Sequence, residues 1–125
     1  MMRLAGAVAL VLIVATPMPA LAHAALVKST PARRATVGQP PPRVELIFSE
    51  RLEPAYSTVV VVDGTGRQVD LRDAALAPDD GRRLTVSLPP LPAGTYTVRF
   101  RVLSVDGHVV ESDFPFTVGA RDAAR

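Results

Sequence analysis

The chain has 125 residues, 48% of them hydrophobic, and fourteen Lys and Arg against twelve Asp and Glu give a formal net charge of +2. So even a balance argues against a nucleic-acid partner or a polybasic membrane role. There is no cysteine, which excludes disulfides, thiolate metal sites and a lipid-modified cysteine.

The first segment reads as a leader. Arg3 supplies a positive start, Ala5 to Ala15 is an uninterrupted apolar run of eleven residues, and Thr16-Pro17-Met18-Pro19 breaks it ahead of Ala20-Leu21-Ala22. Charged start, short apolar stretch and small-residue site form the secretory signal pattern. A membrane span is the other reading, but eleven residues at about 1.5 Å each fall short of a hydrocarbon core of about 30 Å. Cleavage after Ala22 yields a chain that begins at His23. Cleavage after Ala24 uses Ala22-His23-Ala24 and discards that histidine. Small-residue rules accept both. Residues 1–22 are expected to be a cleaved signal peptide, 23–119 one domain and 120–125 a frayed tail. A domain of about 100 residues fits a single core.

Ten of the twelve prolines (all but Pro17 and Pro19) lie beyond the leader, and with scattered Gly and Asp turns they disfavour long helices. The remainder alternates with period two. Val44, Leu46 and Phe48 share a face, and Val59 to Val62 is a β-branched run suited to burial on both sides. Asp63-Gly64-Thr65-Gly66 is expected to join two strands as a hairpin, and Asp79-Asp80-Gly81 to do the same. Asp70 to Pro78 has room for one helical turn. Leu84, Val86 and Leu88 alternate again, and Leu91-Pro92-Ala93-Gly94-Thr95-Tyr96 has the form of a corner in which a Tyr hydroxyl bonds back to upstream backbone. Tyr96, Val98, Phe100 and Val102 point one way, Thr97, Arg99 and Arg101 the other, and Phe114, Phe116 and Val118 close the pattern. Pro115 within that last run predicts an edge or a bulge. Such alternation, with turns every eight to twelve residues, predicts an all-β antiparallel sandwich or barrel.

Only two histidines are present, His23 and His108, and all three methionines (Met1, Met2 and Met18) belong to the leader. Any metal site beyond the leader is therefore built from nitrogen and oxygen. A terminal His23 offers its α-amine and Nδ1 together, which close a six-membered chelate ring. Both groups lose their protons near neutrality. One further imidazole and one carboxylate, as in Asp106-Gly107-His108, complete a tetragonal N/O set suited to Cu(II), whereas Zn(II) favours tetrahedral sites with more histidine or sulfur. Against this stands the plain alternative of a surface histidine beside an ordinary Asp-Gly turn.

The run from His23 to Ala32, the segments Val44 to Glu50 and Leu91 to Val98, and Ser104-Val105-Asp106-Gly107-His108 resemble, in order and spacing, the CopC family of exported copper-resistance proteins. The resemblance implies an immunoglobulin- or cupredoxin-like Greek-key sandwich or barrel of about seven strands. It also implies a periplasmic or extracytoplasmic carrier of one Cu(II) ion per chain, monomeric and not an enzyme, whose partner is an inner-membrane copper transporter of the CopD type. The family's ligands fall on His23, which favours cleavage after Ala22, and on Asp106 and His108, with Glu50 as a further ligand or outer group. The methionine-rich Cu(I) loop of some members has no counterpart. Two other functions compete. A histidine-brace copper oxygenase also uses a terminal histidine, but an Asp106 ligand fills the position such an enzyme leaves open. A metal-free adhesion domain follows if the mature chain starts at Ala25.

Overall fold

The computed structural model describes Gly6 and residues 24–120. The expected signal peptide, His23 and the tail beyond Ala120 therefore lie outside the described residues. The elements are β1 (Leu26–Thr30), β2 (Thr36–Val37), β3 (Arg43–Phe48), a 3-10 turn (Pro54–Tyr56), β4 (Thr58–Val62), β5 (Ala75–Ala77), β6 (Asp80–Ser87), β7 (Gly94–Leu103) and β8 (Val109–Val118). They form two four-stranded sheets of order β1-β3-β6-β5 and β2-β8-β7-β4. Only β5–β6 and β7–β8 are hairpins within one sheet. Every other connection crosses to the opposite sheet, which makes the fold a Greek-key sandwich.

Period-two alternation builds the core between the sheets. Val44, Leu46 and Phe48 of β3 and Leu84 and Val86 of β6 face Val59 and Val61 of β4, Val98, Phe100 and Val102 of β7, and Phe114, Phe116 and Val118 of β8, all nearly or fully buried. Phe48 meets Phe100 edge-on across the sheets, with ring centroids 5.3 Å apart, an arrangement worth about 0.5–1.5 kcal/mol beyond area burial. The predicted corner is present: the Tyr96 hydroxyl donates to the Pro92 carbonyl at 2.5 Å.

The strands among the described residues number eight, in keeping with the about seven expected, with β2 and β5 only two and three residues long, too short to show a period. Other local expectations are corrected. The Asp63–Gly66 turn forms, with Asp63 Oδ1 accepting from the backbone N–H of Thr65 and Arg67 and Gly66 at φ +84°. It leads only to a single bridge, Val62 with Gln68. The reason is Asp70, whose buried carboxylate accepts the Val61 N–H at 2.8 Å and so stands in for a neighbouring strand. The β5–β6 hairpin turns at Pro78-Asp79, one residue earlier than expected, and Asp80 and Gly81 already belong to β6. Finally, the stretch 70–78 holds loop and β5, while the helical turn is at Pro54–Tyr56, where proline pre-sets φ at the start of the turn. Pro115 lies beside the short β2 rather than at a bare edge. Its carbonyl accepts the Arg34 N–H at 2.7 Å, and its own nitrogen, which needs no acceptor, faces the same side just outside the β2 pairing.

Candidate metal centre

The long β7–β8 hairpin ends in a tight connection. Leu103 pairs with Val109, the Ser104 N–H donates to the His108 carbonyl at 2.9 Å, and the Gly107 N–H donates back to the Ser104 carbonyl at 2.9 Å. Gly107 sits at φ +92°, a left-handed conformation that glycine adopts without steric cost. This turn folds Asp106 and His108 onto one another: Asp106 Oδ1 lies 3.1 Å from His108 Nδ1 and 3.3 Å from the His108 backbone N–H. The Ser104 hydroxyl donates to the same oxygen. Ser104 is fully buried, whereas the His108 side chain is half exposed. The Ser104 hydroxyl first, and then the His108 side chain and N–H, hold the Asp106 carboxyl below its ordinary value of 3.8. Asp106 is therefore an anion at neutral pH with a fixed rotamer. A nitrogen and an oxygen about 3 Å apart also have the spacing of two adjacent ligands on a metal with bonds of about 2.0–2.2 Å.

The segment after β3 ties this turn to the start of the described chain. The Ala25 N–H donates to Ser49 Oγ at 2.9 Å, and the Ser49 N–H returns a bond to the Ala25 carbonyl at 2.8 Å. Ala24 is fully buried, so the residue that follows His23 is anchored in the core. Two positions beyond Ser49, the Arg51 carbonyl accepts the Val105 N–H at 3.0 Å, and Leu52 bridges to Ser104. Residues 49–52 thus bond at one end to the residues after His23 and at the other to the turn that carries Asp106 and His108.

Of the four expected ligands, the structure brings Asp106 and His108 together. Glu50 lies half-buried on the linking segment, and His23 is outside the described residues. Among the described residues no three His, Cys, Asp or Glu side chains form a group able to hold a metal ion. Sequence reasoning assigned no role to Ser49 or Ser104. The available signal was a hydroxyl two residues before Asp106 in a turn rich in Asp and Gly, where Ser often bonds local backbone and side chains.

The model of the CopC domain matches residues 26–119. The chain belongs to the CopC family. Copper transport protein CutJ of Bacillus subtilis (strain 168) is 32% identical over 90% of this chain, but the chain spans only 21% of CutJ. Copper resistance protein C of Escherichia coli is 33% identical over 86% of the chain and 90% of its own length. Among solved structures, CopC from Methylosinus trichosporium OB3b matches with a TM-score of 0.75 at 40% identity, covering 82% of this chain and all of that one. PcoC from Escherichia coli, described as a methionine-rich copper resistance protein, matches with a TM-score of 0.67 at 30% identity, covering 78% and 99%. This CopC-family chain has no methionine after Met18.

Proposed function

We propose that this chain, once its leader is removed after Ala22, binds one Cu(II) ion outside the cytoplasm and acts as a copper carrier or buffer in copper homeostasis. The ligands are the amine and imidazole of His23 together with His108 and Asp106, and Glu50 is a further or outer group. The observation that carries this reading is the Asp106–His108 pair, poised 3.1 Å apart on a turn that shares residues 49–52 with the backbone just after His23. The donors are nitrogen and oxygen throughout, the set for which Cu(II) leads the divalent series, while soft Cu(I) lacks the thioethers it prefers. The protein is a non-catalytic monomer that hands copper to an inner-membrane transporter of the CopD type. Signal cleavage itself creates the terminal amine. Before it, the His23 nitrogen is a peptide amide and a poor donor at neutral pH.

The test compares a chain that begins at His23 with one carrying a single Gly ahead of it. The native terminus should bind one equivalent of Cu(II) far more tightly and give a distinct copper EPR spectrum. Equal affinity and identical spectra would refute the terminal chelate, and no tight Cu(II) binding by either chain would refute the function.

A further inference from the structure

We infer that Ser104 is the positioning residue of the copper site, acting through Asp106. The inference rests on the copper-binding reading. Ser104 is the one fully buried polar residue of the β7–β8 turn, and it touches both candidate ligands of that turn. Its hydroxyl donates to Asp106 Oδ1, and its Oγ lies 3.4 Å from the His108 N–H. A serine hydroxyl has one proton to give. The anionic carboxylate is a stronger acceptor than the His108 carbonyl, which stands 3.4 Å away. The proton therefore goes to Asp106, and the oxygen's lone pairs face the His108 N–H. One buried atom thereby fixes the Asp106 rotamer and the peptide from which the imidazole projects. The main chain of Ser104 is itself clamped, by its N–H to the His108 carbonyl at 2.9 Å and by its bridge to Leu52, so the hydroxyl is presented from a rigid position.

The fold does not need this hydroxyl. The hairpin closes through the backbone bonds of Ser104, Gly107 and His108, which Ser104→Ala retains, and no core side chain relies on Oγ. Groups that bond to metal ligands typically change metal affinity by about 10–100-fold when removed. Ser57 provides a matched control: it too is buried, and its hydroxyl, just ahead of β4, accepts the N–H of Leu103 in β7 at 3.2 Å without touching Asp106 or His108.

The experiment measures Cu(II) affinity by chelator competition, the copper EPR spectrum and thermal unfolding for the chain starting at His23. The variants are Ser104→Ala, Asp106→Ala, both together, and Ser57→Ala. Ser104→Ala is expected to melt within a few degrees of the parent, to weaken Cu(II) binding about 10–100-fold and to change the EPR spectrum. The double variant is expected to bind no worse than Asp106→Ala alone, because the serine acts through the carboxylate. Ser57→Ala should leave affinity and spectrum as in the parent. A Ser104→Ala chain that binds within twofold of the parent would overturn the inference, as would additive losses in the double variant. A Ser104→Ala chain that no longer folds would overturn it as well, since the hydroxyl would then serve the fold. A parent chain that fails to bind Cu(II) would instead overturn the function on which the inference rests.

Discussion

Replacing Asp70 by Ala removes a carboxylate that does the work of a missing strand. Asp70 is 7% exposed and accepts the Val61 N–H at 2.8 Å, the Arg72 N–H at 2.8 Å and the Gln68 side-chain amide at 3.1 Å on each oxygen. The three donors are not equivalent. Arg72 is exposed and Gln68 half-buried, so both recover water once the carboxylate is gone. Val61 is fully buried, and its N–H is left without an acceptor. A hydrogen bond to a charged group contributes about 1.5–3 kcal/mol, and an orphaned buried donor costs about 1–3 kcal/mol. These overlap, so the loss is set near 3 kcal/mol, a large share of the roughly 5–15 kcal/mol that holds a domain together. At about 4–8 °C per kcal/mol for a domain of this size, the melting temperature should fall by about 12–24 °C. Asp70→Asn keeps one neutral acceptor for Val61 and should lose less than half as much. Urea unfolding followed by far-UV circular dichroism gives both values. Copper binding by the folded fraction should be unchanged, because Val61 pairs with Val98 in mid-β7, five residues, or about 17 Å of strand, from Leu103 and the turn beyond it. An Asp70→Ala protein within about 1 kcal/mol of the parent would show that the carboxylate does not hold this edge.

Tyr96→Phe removes the hydroxyl bonded to the Pro92 carbonyl and should lower stability by about 1 kcal/mol in the same urea assay, with Cu(II) affinity untouched at the far end of β7. Gly107→Ala meets no atom within 4 Å, but the glycine sits at φ +92°. The penalty is therefore conformational, about 1–2 kcal/mol, and should appear as weaker Cu(II) binding in a chelator competition, with the core intact by circular dichroism. Among the described residues three carboxyls lie below their ordinary 3.8: Asp63 chiefly through the Thr65 hydroxyl, Asp73 through Ser87 and Asp106 through the Ser104 hydroxyl. A depressed folded value means that the unfolded chain takes up protons first as the pH falls. The stabilisation from these groups is thus complete above about pH 4–5 and disappears as the pH drops through the folded values. Urea midpoints of the metal-free protein should be flat from pH 7 to about 5 and decline below about 4, and Asp63→Asn should make that decline shallower.

What the sequence disclosed and what it concealed divide along a physical line. Alternation is a local property, so the inward faces of β3, β6, β7 and β8 were legible residue by residue. The Tyr96 corner was legible too, because donor and acceptor lie four residues apart. Asp106 and His108 could be paired for the same reason, with a single glycine between them. The edges were not legible. Whether Gln68 begins a strand or ends in one bridge depends on a carboxylate that reaches across from Asp70 to Val61, and no period in either segment encodes that contact. β2, with two residues, has no period to read. Ser49 was hidden in a motif that drew attention to its neighbour Glu50. Yet Ser49 is the residue that bonds Ala25, while Glu50 joins no cluster of three metal-binding groups among the described residues. The chemistry of a terminal histidine could be argued from the leader alone, but its relation to Asp106 and His108 could not. Among the described residues, the backbone of 49–52 is bonded to Ala25 at one end and to Val105 at the other. Bonds between segments so far apart in the chain leave no mark on the alternation of either one, which is why this splice could not be read in advance.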